Sequence, residues 1–289
     1  MLVRKKSSIN VKNRMILNDK TGAFTNFIKT LENTNFNTQT FYNNMCDIKF
    51  EETHRFTQDK TALALYDLLS NKIQYLKDYY KYAIMHELFH MASTVLDGDF
   101  LYSGFFQKDL KSGENIGIAL TEAYSMILDK RYFPDYVSDK MDVIANDYSI
   151  TSYFVSMIEE IIGKSTMEKM YSENNLYDLM NILIPFTSKK ETFRFVRALD
   201  YITLHFENVD PLIVSNRVLR EISYANSYIC KLMIYYAKSL RKDEIITNEE
   251  YSVLIEDIAK QFSTPIVIGK HFKRKTKAVA KKLIFRAAK

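Results

Sequence analysis

The chain has 289 residues, enough for one large domain or two modest ones. Apolar residues at 47% and charged residues at 26% exclude wholesale disorder, and only 7 Gly and 4 Pro argue against a many-stranded sandwich or barrel and for long helices. The net charge of +5 is uneven: nine Lys/Arg and no acid lie between Lys270 and Lys289, which leaves 31 basic and 35 acidic residues elsewhere, a mildly acidic body with a strongly basic tail.

At the start, Arg4, Lys5 and Lys6 are followed by no apolar run, so no secretory signal is expected. No stretch reaches the roughly 18 apolar residues of a membrane span, and a soluble cytoplasmic protein is the expectation. Cys46 and Cys230 are too few and too far apart for a disulfide framework, and read as small buried hydrophobes in a reducing compartment.

Phe24, Phe27, Ile28 and Leu31 are spaced as one face of a helix. Cys46–Phe50 alternates as a short strand would, and Lys72–Leu76 reads as extended after the turn-like Ser70-Asn71. Beyond Tyr79 the reading is almost wholly helical. Helices are expected over about 82–96, 116–130 and 138–162, the first two separated by a polar connection through Gly98, Gly104 and Gly113. Gly163 reads as a helix-terminating residue. Ser165…Glu168, Ser188…Glu191 and Thr247…Glu250 have capping-box spacing, and Asp210-Pro211 has the N-cap/N1 pattern. With no Trp and with 19 Phe and 20 Tyr, aromatic rings must fill much of the core; Phe193, Phe195, Tyr201 and Phe206 are read that way.

One motif carries chemistry. His86-Glu87-Leu88-Phe89-His90 is H-E-x-x-H, and on a helix its two imidazoles share a face one turn apart, where they can bind one Zn²⁺ with Glu87 beside them to activate a water. Random placement of 5 His and 17 Glu in this chain predicts about 0.005 such matches, so chance is a poor explanation. The flanks Ala83, Ile84, Met85, Leu88, Phe89 and Ala92 are apolar, and two uncommitted histidines on a buried helix would be costly. A catalytic site needs a third ligand. Glu122, an acid inside the apolar run Gly117–Leu128, is the candidate, preferred over Asp97, Asp99, Asp109 and Glu114 in the polar connection. Tyr124, Tyr148, Tyr153 and His205 are candidate oxyanion donors; Tyr124 lies about 200° round the helix from Glu122, and Tyr148 and Tyr153, on the next helix, are preferred as catalytic.

These residues resemble the gluzincins, zinc metallopeptidases with two His from H-E-x-x-H and a Glu from the next helix. The closer likeness is to uncharacterised bacterial gluzincin-like proteins, carried by Asn71–Tyr75, His86–His90, Ser103-Gly104-Phe105, Leu120–Tyr124 and Arg131-Tyr132-Phe133. A lesser likeness is to the antirepressor-cleaving metallopeptidases of mobile elements. The gluzincin likeness implies Zn²⁺ held by His86, His90 and Glu122, and hydrolysis of a peptide or protein substrate with Glu87 as general base. Thermolysin-like members place an Asp where Met126 stands, so Asp129 is the expected support for a zinc-bound His. Lys72–Leu76 is expected to offer backbone groups to a substrate strand.

The fold expected is α+β, predominantly helical. Residues 1–35 form a basic segment and helix, 36–135 a zincin-like core with a few short strands, 136–269 a helical region and 270–289 the basic tail. In the tail Phe272, Thr276, Val279, Leu283 and Ala287 recur between basic residues, suiting either packing on the acidic body or an anionic partner, membrane or nucleic acid. The competing function is a non-enzymatic zinc-binding or interaction protein with a structural H-E-x-x-H site.

Overall fold

A computed structural model describes residues 23–54, 56, 63–76, 80–134, 139–208 and 214–263. The basic tail and Asp210-Pro211 lie outside them. The chain is mixed α and β and mostly helical, and it divides into two compact units, residues 1–152 with 163–176, and residues 153–162 with 177–289.

In the first unit α1 (Ala23–Glu32) buries Phe24, Phe27, Ile28 and Leu31, the face its periodicity defines. Phe27 meets Phe89 at 4.9 Å, Phe41 at 5.3 Å and Phe133 at 5.9 Å between ring centroids. Helix α1 therefore belongs to the same core as the motif helix, and the expected boundary at residue 35 falls inside one unit. Next comes α2 (Thr38–Met45), which the sequence reading missed; Asn37 caps it by accepting the Gln39 N–H. Cys46 ends this helix and is only half-buried, so the strand expected over Cys46–Phe50 starts later, at β1 (Lys49–Thr53).

β1, β2 (Ala64–Asp67) and β3 (Lys72–Leu76) form a three-stranded sheet ordered β1-β3-β2, parallel between β1 and β3 and antiparallel between β2 and β3. β3 has the predicted bounds but lies in the middle, with both rows of backbone groups paired. β1 and β2 are the edge strands of the sheet. Because Leu76 N–H donates to Leu63 C=O, Ala64 and Tyr66 turn their N–H and C=O away from β3, and the Tyr66 N–H is taken by Glu87. β2 and β3 pack on α3 (Tyr80–Ser93), the motif helix. Its end is closed by Asn44, whose side chain donates to Met91 C=O and Thr94 C=O.

The connection read as polar loop is a four-stranded antiparallel meander: β4 (Val95–Asp97), β5 (Phe100–Ser103), β6 (Phe106–Asp109) and β7 (Asn115–Ile116). Strands this short give no periodicity to read. Gly104, at φ +58°, makes the β5–β6 turn, and a Cβ there would stand 2.4 Å from the Tyr171 ring. Gly117, at φ +86°, opens α4 (Ile118–Tyr132); a Cβ would meet Phe105 C=O at 2.2 Å. α5 (Asp139–Ile162) passes from the first unit to the second at Ser152/Tyr153.

α6 (Lys164–Ser172) returns to the first unit, starting after Gly163 at φ +89°. Glu168 does not act in a capping box with Ser165. It is fully buried, accepting from Arg131 Nη1 at 3.2 Å and from the Tyr132 hydroxyl, which ties α4 to α6. A buried carboxylate with two strong donors beside it has no reason to turn back to its own helix terminus.

The second unit adds α7 (Leu176–Leu183), a 3₁₀ turn (Ile184–Phe186), α8 (Lys189–Asn208), α9 (Asn216–Lys242) and α10 (Asn248–Ser263). α8 and α9 run antiparallel, since Glu191 pairs with Lys231 and Arg194 with Glu221. Ser188 and Glu191 bond each other at the start of α8, and Thr247 and Glu250 make a reciprocal capping box, Thr247 N–H donating to Glu250 at 2.7 Å. Phe195 and Phe206 are core, Phe195 stacking on Tyr228 at 4.3 Å, whereas Phe193 is exposed. Cys230 is buried, and burial pushes its thiol up to about 11. Among the described residues no helix is long and apolar enough to cross a membrane.

Candidate metal centre

Helix α3 carries His86, Glu87 and His90, all buried, and α4 crosses it to bring in Glu122, whose side chain keeps 21% of its surface. The Nε2 atoms of His86 and His90 are 3.0 Å apart; Glu122 Oε2 lies 3.1 Å from His86 Nε2 and 3.4 Å from His90 Nε2. These side chains could hold one metal ion, each offering one ligand atom, with all three within 4.8 Å of one another.

Behind His86, Asp129 Oδ2 is 2.8 Å from Nδ1. Asp129 lies three residues past Met126 on α4 and reaches the ring nitrogen of His86 that is not directed at His90 and Glu122. A carboxylate there keeps the proton on Nδ1 and leaves the Nε2 lone pair facing the centre. Behind His90, the backbone carbonyl accepts from Thr94 Oγ1 at 2.7 Å, Ser93 Oγ at 3.2 Å and Ser103 Oγ at 3.3 Å, so the last turn of α3 is anchored to β5.

The charges explain one another. Burial alone disfavours a proton on His86, but Asp129 and Glu122 outweigh it and hold its pKa well above that of a free imidazole. Burial works against ionised Glu122 as well, yet His90 and His86 hold its carboxyl far below the usual range. The cluster thus favours positive charge at its middle. Glu87 is different: burial pushes its carboxyl up, against the pull of His90 and His86 and of the bond it accepts from Tyr66 N–H at 2.7 Å.

That Tyr66 amide went unseen in the sequence reading. A backbone donor carries no residue signature, and β2 lies 21 positions before Glu87. The rival acids belong to the meander, Asp109 accepting from Lys111 and Ser112 N–H groups and Asp99 pairing with Lys111. Tyr124 is fully buried against Phe105 and Tyr171. Tyr148 lies on α5, its side chain outside the described set. Tyr153 opens the second unit, where its ring meets Phe154, and His205 is on α8 of that unit. Comparison with family models, curated proteins and solved structures finds no match.

Proposed function

We propose that the chain is a zinc-dependent peptide hydrolase of the gluzincin kind, with His86, His90 and Glu122 as ligands and Glu87 as general base. The observation that carries this reading is the convergence of three lone-pair donors at 3.0, 3.1 and 3.4 Å. A tetrahedral Zn²⁺ with bonds of about 2.05 Å sets its ligands about 3.3 Å apart, so the spacing fits the ion without rearrangement. The donor set of two imidazoles and one carboxylate, three protein ligands among the described residues, supports a site that keeps a position open for chemistry.

When bound, zinc lowers the pKa of water and polarises a carbonyl at that open position. Glu87 takes the proton of the attacking water and returns it to the leaving amine. Its upward-shifted pKa suits both transfers, and Tyr66 N–H fixes one carboxylate oxygen. Asp129 orients His86, and the depressed pKa of Glu122 keeps it an anionic ligand. The outer edge of β2 lies beside Glu87 and could offer backbone groups other than the Tyr66 N–H, which Glu87 holds, to an extended peptide. The nine basic residues of 270–289 would add a sequence-independent attraction to anionic partners.

Metal analysis of purified protein tests the reading. One zinc per chain is expected in the wild type and none in His86→Ala/His90→Ala protein. Stoichiometry near zero after zinc-supplemented expression, or zinc retained by the double variant, overturns it.

A further inference from the structure

Helix α9 is basic out of proportion to the rest of the chain. It carries six Lys/Arg and one acid, Glu221, and with the basic tail also set aside the remainder holds 25 basic and 34 acidic residues. The charge on α9 is ordered as well. At about 100° per residue, Arg217, Arg220, Lys231, Lys238 and Lys242 fall within about 60° of arc, interleaved with Tyr224 and Tyr235. No other position of the helix beyond Arg217 enters that arc, so the stripe holds neither an acid nor an aliphatic side chain. At 1.5 Å per residue it runs for about 38 Å.

The far side of α9 is fixed in the core by buried Ile222, Ile229 and Leu232, which turns the stripe outward. Arg217, Arg220 and Lys242 are exposed, and Tyr235 keeps 45% of its surface. Cations and rings are already matched along it. The Arg217 guanidinium lies 4.2 Å from the Tyr201 ring centroid, Arg194 of α8 lies 4.6 Å from that of Tyr224, and Lys231 and Lys238 lie 5.9 and 5.6 Å from that of Tyr235. Tyr224 is held in place by donating its hydroxyl to Glu191 C=O at 3.1 Å. Glu191 and Glu221 neutralise Lys231 and Arg194. Among the described side chains no carboxylate pairs with Arg217, Arg220, Lys238 or Lys242.

Charge complementarity calls for an extended anion, and the rest of the helix selects its kind. A membrane-surface helix inserts its apolar face, and that of α9 is committed to the core. A nucleic-acid duplex keeps its bases stacked inside and has no use for an outward tyrosine. A single strand offers both a line of phosphates and unstacked base faces, and a stripe of this length suits a site of several nucleotides. RNA is the nucleic acid that commonly presents unpaired bases in loops and ends.

We propose that the α9 stripe is a docking surface for single-stranded RNA. Arg217, Arg220, Lys238 and Lys242 meet phosphates, and Tyr235 stacks on a base. The inference is independent of the metal reading above.

Fluorescence anisotropy of the full chain with a labelled oligouridylate of about twelve nucleotides, over a range of salt concentrations, is the test. The wild type should bind at low salt. Arg217→Ala/Arg220→Ala/Lys238→Ala/Lys242→Ala should reduce the slope of log affinity against log salt by about three, since each phosphate contact to a single strand contributes about 0.7. Tyr235→Leu should weaken binding about fivefold or more at unchanged slope, and Tyr235→Phe should bind as the wild type does. Arg217→Lys/Arg220→Lys should keep the slope, which separates lost charge from altered folding, and unfolding midpoints are measured beside each titration. No binding by the wild type at low salt overturns the proposal. So does an unchanged slope in the quadruple variant, which would assign the binding to residues 270–289. Wild-type affinity in Tyr235→Leu removes the stacking and with it the single strand. Tighter stripe-dependent binding to oligodeoxythymidylate of the same length overturns the choice of RNA. Phosphatidylserine vesicles that lose binding in the quadruple variant would reassign the stripe to a lipid surface and overturn the proposal as well.

Discussion

Tyr66 and Glu87 are 21 positions apart, and the amide of the first donates to the carboxylate of the second at 2.7 Å. The bond ties an edge strand of a small sheet to the acid of the H-E-x-x-H helix, so β2 and Glu87 are held together.

Glu87→Gln follows directly from that contact. The amide oxygen of Gln can still accept the Tyr66 N–H, so the fold and the metal ligands should be kept, while the ability to take a proton is lost. Zinc content is expected to stay at the wild-type value, and peptide hydrolysis to fall by about 10²–10⁴-fold. Wild-type turnover in the variant would remove Glu87 from the mechanism.

Zinc affinity should rise with pH. Asp129 and Glu122 overcome burial to hold the His86 pKa well above its ordinary value, so at neutral pH the metal-free cluster carries a proton the ion must displace. Below that raised pKa, affinity is expected to strengthen by about tenfold per pH unit for one proton released. Calorimetry in two buffers of different ionisation enthalpy counts the proton; a pH-independent affinity contradicts the charge assignment.

Glu168 gives a test that separates two roles. As a helix-cap residue its loss would cost about 1 kcal/mol. As the buried carboxylate that accepts from Arg131 and Tyr132, its loss in Glu168→Ala should cost about 3 kcal/mol, because both bonds between α4 and α6 are deleted together. Denaturant titration distinguishes these values, and Ser165→Ala should be close to neutral.

Gly104→Ala should destabilise the first unit by about 2–4 kcal/mol, combining a left-handed backbone with a Cβ 2.4 Å from the Tyr171 ring. Gly113 is the control: its φ is +75° but nothing lies within 4 Å of a Cβ. Gly113→Ala should therefore cost only about 1 kcal/mol. Equal unfolding midpoints for the two variants would mean that Tyr171 yields freely.

For the basic tail, the expectation comes from charge alone. Nine positive residues among the last twenty should give binding to anionic vesicles that weakens steeply with salt, and deletion of 270–289 should abolish it. Binding that survives the deletion would move attention to Arg4, Lys5 and Lys6.

The amino-acid sequence by itself determined whatever depends on local spacing. The H-E-x-x-H pair sits on one helical face by the pitch of the helix, and α1, α4 and the array from Lys164 onward follow from apolar periodicity and caps. Glu122 could be picked out because an acid in an apolar helix needs a partner, and Asp129 only through the resemblance to thermolysin-like proteins. Tertiary structure decided what depends on pairing across distance. The strands of the meander have two to four residues and are held by partners, not by any pattern of their own. Whether β2 or β3 forms the sheet edge is a matter of strand order, which no single strand encodes. Glu168 reads as a cap until Arg131 and Tyr132 arrive from another helix, and Tyr171 is one tyrosine among twenty until folding sets its hydroxyl beside Ser125. A hydrogen bond is specified by both ends, and in these cases the second end lies far along the chain.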